Sequence, residues 1–181
     1  MQRHVNKQIY LENQLRKLWE QHVYWTRFFI ISTAANLGDL QPVTNRLLRN
    51  PKDFAQLLTP LYGVKTAGQF QELFTMHLLI AAELVNAAKN QQPEKAMEAR
   101  SKWYKNAEDI AEFLAATNPC WNKAEWKHML FKHLEMTEKE ATLRLQGHYA
   151  EDIVVFDAIE EEALKMADYM SCGIIKQCFC H

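Results

Sequence analysis

Five glycines and five prolines are all that a chain of 181 residues has for tight turns. A sheet fold of this size needs turn chemistry every ten residues or so, and hairpins want Gly or Asn at fixed offsets. Here the glycines and prolines leave long intervals in which apolar residues recur every three or four positions. That period belongs to helices that bury one face. No segment combines a period of two with hairpin residues. The expected fold class is all-α, an up-and-down bundle of four to five long helices with two short connecting helices.

The breaks place the elements. Leu11, Leu15, Leu18, Trp19, Trp25, Phe29, Ile30 and Leu37 predict one long helix over about 8–38, stopped by Gly38-Asp39. Pro42, Asn50-Pro51 and Thr59-Pro60 predict two short helices near 42–49 and 52–58. Further long helices are expected over about 66–90, from Pro93 to about 116, over 122–146 ending at Gly147, and over 148–172 ending at Gly173. A chain of this length makes one domain, 1–181. Its first helical half is 8–90, its second is 94–172, and a cysteine-containing tail covers 174–181.

Composition removes several function classes. A net charge of −1 and a pI near 6.7 give no electrostatic case for nucleic acid. No apolar run approaches the roughly 20 residues of a membrane span, and MQRHVNKQIYLENQ has no signal-peptide apolar region. The expectation is a soluble, cytoplasmic protein with no membrane partner. Its small-molecule ligand is unknown, and a homodimer is compatible with the sequence. There is no glycine-rich phosphate loop and no serine nucleophile elbow.

The chemistry lies in a shared register. Aligned on His22, the first helix carries Leu18, Trp19, Trp25, Thr26 and Phe29 at offsets −4, −3, +3, +4 and +7. The same offsets give Leu73, Phe74, Ile80, Ala81 and Leu84 around His77. Around His133 they give Met129, Leu130, Met136, Thr137 and Glu140. At about 100° per residue these offsets form one stripe, so each histidine centres an apolar face. His22…Thr26 and His133…Thr137 share His-x-x-x-Thr, which suggests an internal duplication of a helical hairpin. The fifth helix has no histidine on its stripe but carries Asp152 near the centre and Glu160 on the flank.

A buried carboxylate is costly unless paired, hydrogen-bonded or ligating a cation. Three imidazoles and a carboxylate from four helices suit a divalent transition metal such as Zn, Fe, Mn or Ni. The proposed ligands are His22, His77, His133 and Asp152. Glu140, Glu160, Thr26, Thr137 and Arg27 are candidates for additional or outer positions. The alternative is a structural or interaction module in which the histidines, Asp152 and the threonines form a buried hydrogen-bond network without metal. A third reading has Arg27 clamp an anionic ligand beside the histidines, although an arginine at a stripe edge more often pairs with an acid on a neighbouring helix. No catalytic acid or base can be assigned.

Other signals carry less. Glu125-Trp-Lys-His128 matches Glu-x-x-His, but His128 lies opposite the apolar face of its helix. His148-Tyr-Ala-Glu151 is similar. The tail, with Cys172, Cys178, Cys180 and His181, offers soft donors at no standard zinc spacing. In the run Glu160-Glu161-Glu162, only Glu160 is expected to leave the solvated face.

The segments LWEQHVYWTRFFIISTAANLGDLQPVTNRLLRNPKDFAQLL, LFTMHLLIAAELVNAAK, HLEMTEKEA, YAEDI and ALKMADYMSCGIIKQ resemble a family of small, uncharacterised helical-bundle proteins of spore-forming Gram-positive bacteria. The resemblance covers nearly the whole chain. Some members carry the automatic label acetylglutamate kinase. Such a kinase needs an α/β sheet and glycine-rich phosphate loops, so the label does not suit this sequence. The organisation is also distantly similar to ferritin-like and DinB-like metal-binding bundles. The DinB-like resemblance implies three histidine ligands, matched here by His22, His77 and His133. The His-x-x-x-His pair usual within one DinB-like helix is absent, as is a complete ferritin-like ligand set.

Overall fold

The computed structural model describes residues 2–179, with side chains described for 5–177. Every regular element among them is helical: α1 Gln2–Ala35, α2 Leu40–Lys89, α3 Pro93–Thr117, α4 Lys123–Gln146 and α5 Tyr149–Phe179. Short connections force antiparallel neighbours, and each helix packs on the next. Helix α5 returns against α1 and closes the ring, while α1 also touches α4 across the bundle. Among the described residues, no helix is long and apolar enough to cross a membrane.

Three boundaries differ from expectation, each for a local reason. Helix α1 stops at Ala35 because Asn36 adopts a left-handed φ of 53°, and Leu37 N–H donates to the Ser32 carbonyl at 3.0 Å. That is a Schellman-type closure, and Gly38 is not its pivot. The two short helices are instead one continuous arm of α2, which runs through Pro51 and Pro60. A proline removes one helical hydrogen bond, and burial of Pro51, Phe54, Ala55 and Leu58 against the core holds the arm together. The break falls at Gly63, whose φ of 80° and ψ of 163° only glycine adopts without strain. Two antiparallel arms result, with Phe54 of the first packed on Phe70 and Phe74 of the second, so the second arm runs parallel to α1 and carries His77.

Gly173 likewise does not end α5. It lies inside the helix beneath Trp121, and a Cβ there would sit 2.0 Å from Trp121 Nε1. The indole N–H donates to the Met170 carbonyl at 3.3 Å. Gly173→Ala is therefore expected to destabilise the protein by about 1–3 kcal/mol through overpacking. Gly68→Ala, where a Cβ meets nothing within 4 Å, should stabilise by about 0.5–1 kcal/mol through helix propensity. Equilibrium urea unfolding of the two variants distinguishes these opposite signs.

Helix α4 follows its sequence closely. The Asn122 side chain accepts from the N–H groups of Ala124 and Glu125 at 2.8 and 3.1 Å, and Gly147 closes the far end at φ 80°. Around the bundle axis the core is rich in rings. Trp19 stacks over Trp126 with centroids 6.4 Å apart and meets Phe54 and Phe74 at 5.5 and 5.8 Å. In this layer Trp19 and Phe74 lie one helical turn before His22 and His77, and Trp126 lies two turns before His133.

Candidate metal centre

The shared register places the three histidines at one level. His22 from α1, His77 from α2 and His133 from α4 are 2%, 1% and 2% exposed. One nitrogen of each lies within 4.8 Å of one from each of the others. The His22 ring is 5.6 Å from His133 and 6.2 Å from His77, centroid to centroid. Phe74, one turn before His77, stacks on His22 at 4.8 Å and holds the ring from below. The cluster thus follows from one stripe repeated on three helices.

Hydrogen bonding fixes the state of one ring. Asn106 on α3 donates through Nδ2 to the Leu73 carbonyl at 3.1 Å, which turns its Oδ1 toward His77. His77 Nδ1 lies 2.9 Å from that oxygen, so Nδ1 carries the proton and donates. The lone pair of His77 is then on Nε2. The Nδ1 atoms of His22 and His133 have no partner at all, an unusual condition for buried imidazoles. Burial pushes His77 down to about 3 and His133 to about 4. Burial, reinforced by His133 and His77, holds His22 well below its ordinary range. All three are neutral near pH 7, the form that ligates metals.

The remaining candidates stand elsewhere. Thr26 and Thr137 donate to the His22 and His133 carbonyls at 2.8 and 2.9 Å, so His-x-x-x-Thr is a bond back to each helix's own backbone. Asp152 does not join the histidines. Its Oδ1 accepts from Arg27 at 2.6 Å and its Oδ2 from Arg144 at 3.1 Å, leaving both oxygens engaged. Glu140 also accepts from Arg27 at 2.6 Å. Glu140 lies seven residues beyond His133, about 10 Å along α4. The hydrogen-bond network of histidine, Asp152 and threonine therefore does not form, and the carboxylates belong to a separate ionic layer. Arg27 is shared between two acids, packs over the Phe156 ring at 4.6 Å and is not free to clamp an anion at the triad.

Glu160 is half-buried and accepts from the Tyr24 hydroxyl at 2.6 Å, far from a ligand role. That bond pushes the Tyr24 hydroxyl up to about 12. Within the acidic run the fully buried member is Glu162, held by Lys132 at 2.8 Å. Glu125, His128, His148 and Glu151 are exposed. Cys172 is exposed and unpaired, while the tail donors Cys178, Cys180 and His181 lie outside the described side chains.

Two participants were not singled out from sequence. Asn106 stands three residues after Trp103 and four before Ile110, a polar residue on the apolar stripe of α3. That is the same signal that marks Asp152, but α3 lacks a histidine to draw attention to it. Arg144 follows Glu140 by one turn and is visible only once Asp152 is placed in space.

The buried titrating groups set opposing pH dependences. The three histidines have folded values below their unfolded value of about 6.5, so as pH falls below that value the unfolded state takes up protons first. His77 and His133 then cost roughly 2 kcal/mol each between pH 7 and 5, and His22 adds a loss of the same sign. Burial pushes Glu140 up to about 7, against the pull of Arg27, so its contribution has the opposite sign. Glu140 returns roughly 2 kcal/mol over the same interval. The net expectation for metal-free protein is a loss of at least about 2 kcal/mol from pH 7 to 5. Glu140→Gln should steepen that loss, as read by denaturant midpoints at the two pH values.

On one side of the triad lies the aromatic layer; on the other, a cavity of about 230 Å³ opens between α1, α2, α3 and α4. No known protein family, curated protein or solved structure was found to match the chain.

Proposed function

We propose that the protein binds one divalent transition metal, Zn, Fe, Mn or Ni, through His22, His77 and His133. The observation that carries this reading is the convergence of three buried, neutral imidazoles from three helices, one nitrogen of each within 4.8 Å of one from each of the others, together with the absence of a hydrogen-bond partner at Nδ1 of His22 and of His133. Zinc–nitrogen bonds of 2.0–2.1 Å imply donor separations of about 3.3 Å in a tetrahedral site. The observed spacing leaves at most about 1.5 Å between donors to close on binding.

Three nitrogen donors leave room for a further ligand, the pattern of catalytic rather than closed structural sites. A bound ion would supply Lewis acidity and lower the pKa of a coordinated water. The chain's own residues do the positioning. Asn106 holds His77 in the tautomer that presents Nε2. Phe74 and Trp19 cover one side of the triad. The layer of Arg27, Glu140, Asp152 and Arg144 ties α1 to α4 and α5 and fixes the height of His22 against His133. The same three histidines are those matched by the DinB-like resemblance.

Equilibrium dialysis of tag-free protein against each metal, with metal content read by mass spectrometry, tests the reading. One equivalent per chain is expected, with loss of at least a hundredfold in affinity for His77→Ala. Asn106→Ala should weaken binding by about 10–100-fold, the usual cost of removing an outer partner. Metal-free wild type under all four conditions would contradict the reading.

A further inference from the structure

We infer that the cavity above the histidines is a binding site for a medium-length aliphatic chain whose anionic head, a carboxylate, ligates the metal. This rests on the metal reading and adds the class of ligand. The argument begins with an asymmetry in side-chain size. At offset −3 from the histidines stand Trp19, Phe74 and Leu130, which fill the bundle. At offset +4 stand Thr26, Ala81 and Thr137, and all three line the cavity. Small residues at this one level on three helices leave the space open. None of the three histidines lines the cavity. Its floor lies four residues, about 6 Å of helical rise, from the triad, and the head reaches the metal between Thr26, Ala81 and Thr137.

The walls select an apolar tail. They are built from aliphatic side chains such as Ile30, Leu84 and Val85, together with Trp103, whose ring is 5.3 Å from His77. The two threonine hydroxyls donate to their own helices and have no hydrogen left for a ligand. At about 230 Å³ the space exceeds an engineered 150 Å³ cavity that takes up benzene. The mouth lies at Met97, which is 66% exposed, and at the Arg100–Glu138 ion pair of 2.9 Å.

Charge selects the head. Three neutral imidazoles leave the two positive charges of a bound ion uncompensated. The buried carboxylates Glu140, Asp152 and Glu162 are already taken by Arg27, Arg144 and Lys132. A fourth ligand carrying negative charge therefore lowers the cost of burying the ion. A carboxylate at the end of a chain lying in the cavity meets both demands.

Calorimetric titration of zinc-loaded protein with straight-chain carboxylates from acetate to octanoate tests the inference. Affinity is expected to rise roughly threefold to fourfold per methylene, so that octanoate binds at least a hundredfold tighter than acetate. Removing zinc should lose most of the octanoate affinity. Ala81→Leu, which fills the floor, should reduce the octanoate preference to under tenfold while zinc stays at one equivalent. Met97→Trp at the exposed mouth gives the same reading without touching the core. Equal affinity along the series in zinc-loaded protein would overturn the chain site and leave the metal centre standing. Octanoate binding unaffected by zinc removal would place the head elsewhere and overturn the inference. Wild-type protein that holds no zinc would overturn the metal centre, and the inference with it.

Discussion

Zinc at about a thousandfold excess over its dissociation constant is expected to raise the thermal unfolding midpoint by roughly 8–16 °C. The estimate follows from mass action. A ligand that binds only the folded state contributes about 4 kcal/mol at that excess. For a domain of this size each kcal/mol is worth about 2–4 °C. The histidines meet only in the fold, since they come from α1, α2 and α4 and lie 55 or more residues apart, so the unfolded chain offers no comparable site. His22→Phe is the informative control. A phenyl ring can keep the stack on Phe74 but cannot donate to a metal. The variant should retain its metal-free midpoint within a few degrees and lose most of the zinc-induced shift. Differential scanning calorimetry with and without zinc reads both quantities.

The second large effect concerns the ionic layer. Asp152 is fully buried and neutralises parts of two guanidinium groups that are themselves 12% and 20% exposed. Asp152→Ala is expected to destabilise by about 3–5 kcal/mol, because breaking a buried pair strands its partners without a counter-charge. Replacing the set together, as Arg27→Met, Glu140→Leu, Arg144→Met and Asp152→Leu, should recover most of that loss, since packed apolar side chains carry no desolvation penalty. Urea unfolding measures both. The same variants separate the two buried clusters. If Asp152 acts only through the arginines, Asp152→Ala retains one equivalent of zinc at neutral pH in conditions where it is folded. Loss of the metal from folded Asp152→Ala would return Asp152 to the ligand set.

Much of this was legible in the sequence because helices repeat. The all-helical bundle followed from scarce turn residues and from stripes such as Leu11, Leu15, Leu18 and Trp19. The three histidines could be set in register because each sits at the same place in its own stripe. Stripe position says nothing about height, however. Asp152 centres its stripe as well as His22 does, yet the start of α5 sets it level with Arg27, about one and a half turns further along α1. A period fixes a face; only the connections fix the level.

The failures at boundaries have a similar cause. Gly173 and Pro51 are turn-forming residues by type, but tertiary packing decided their roles. Gly173 is small because Trp121 lies on it, and Pro51 is buried within an arm that the core holds straight. Gly63, which carries the actual break, differs from Gly68 only in its backbone angles, and a sequence does not record those. The His-x-x-x-Thr repeat was a real regularity with a local meaning, a hydroxyl returned to its own helix. Its consequence for the site is one of size: with Ala81 it leaves the level above the histidines open.

X-ray absorption at the zinc edge, on tag-free protein loaded with one equivalent, bears most directly on the metal centre. The expected result is three imidazole nitrogens at 2.0–2.1 Å with one further light ligand, reduced to fewer imidazoles in His22→Phe. A zinc-free protein, a shell containing sulfur, or a spectrum unchanged by His22→Phe would contradict it.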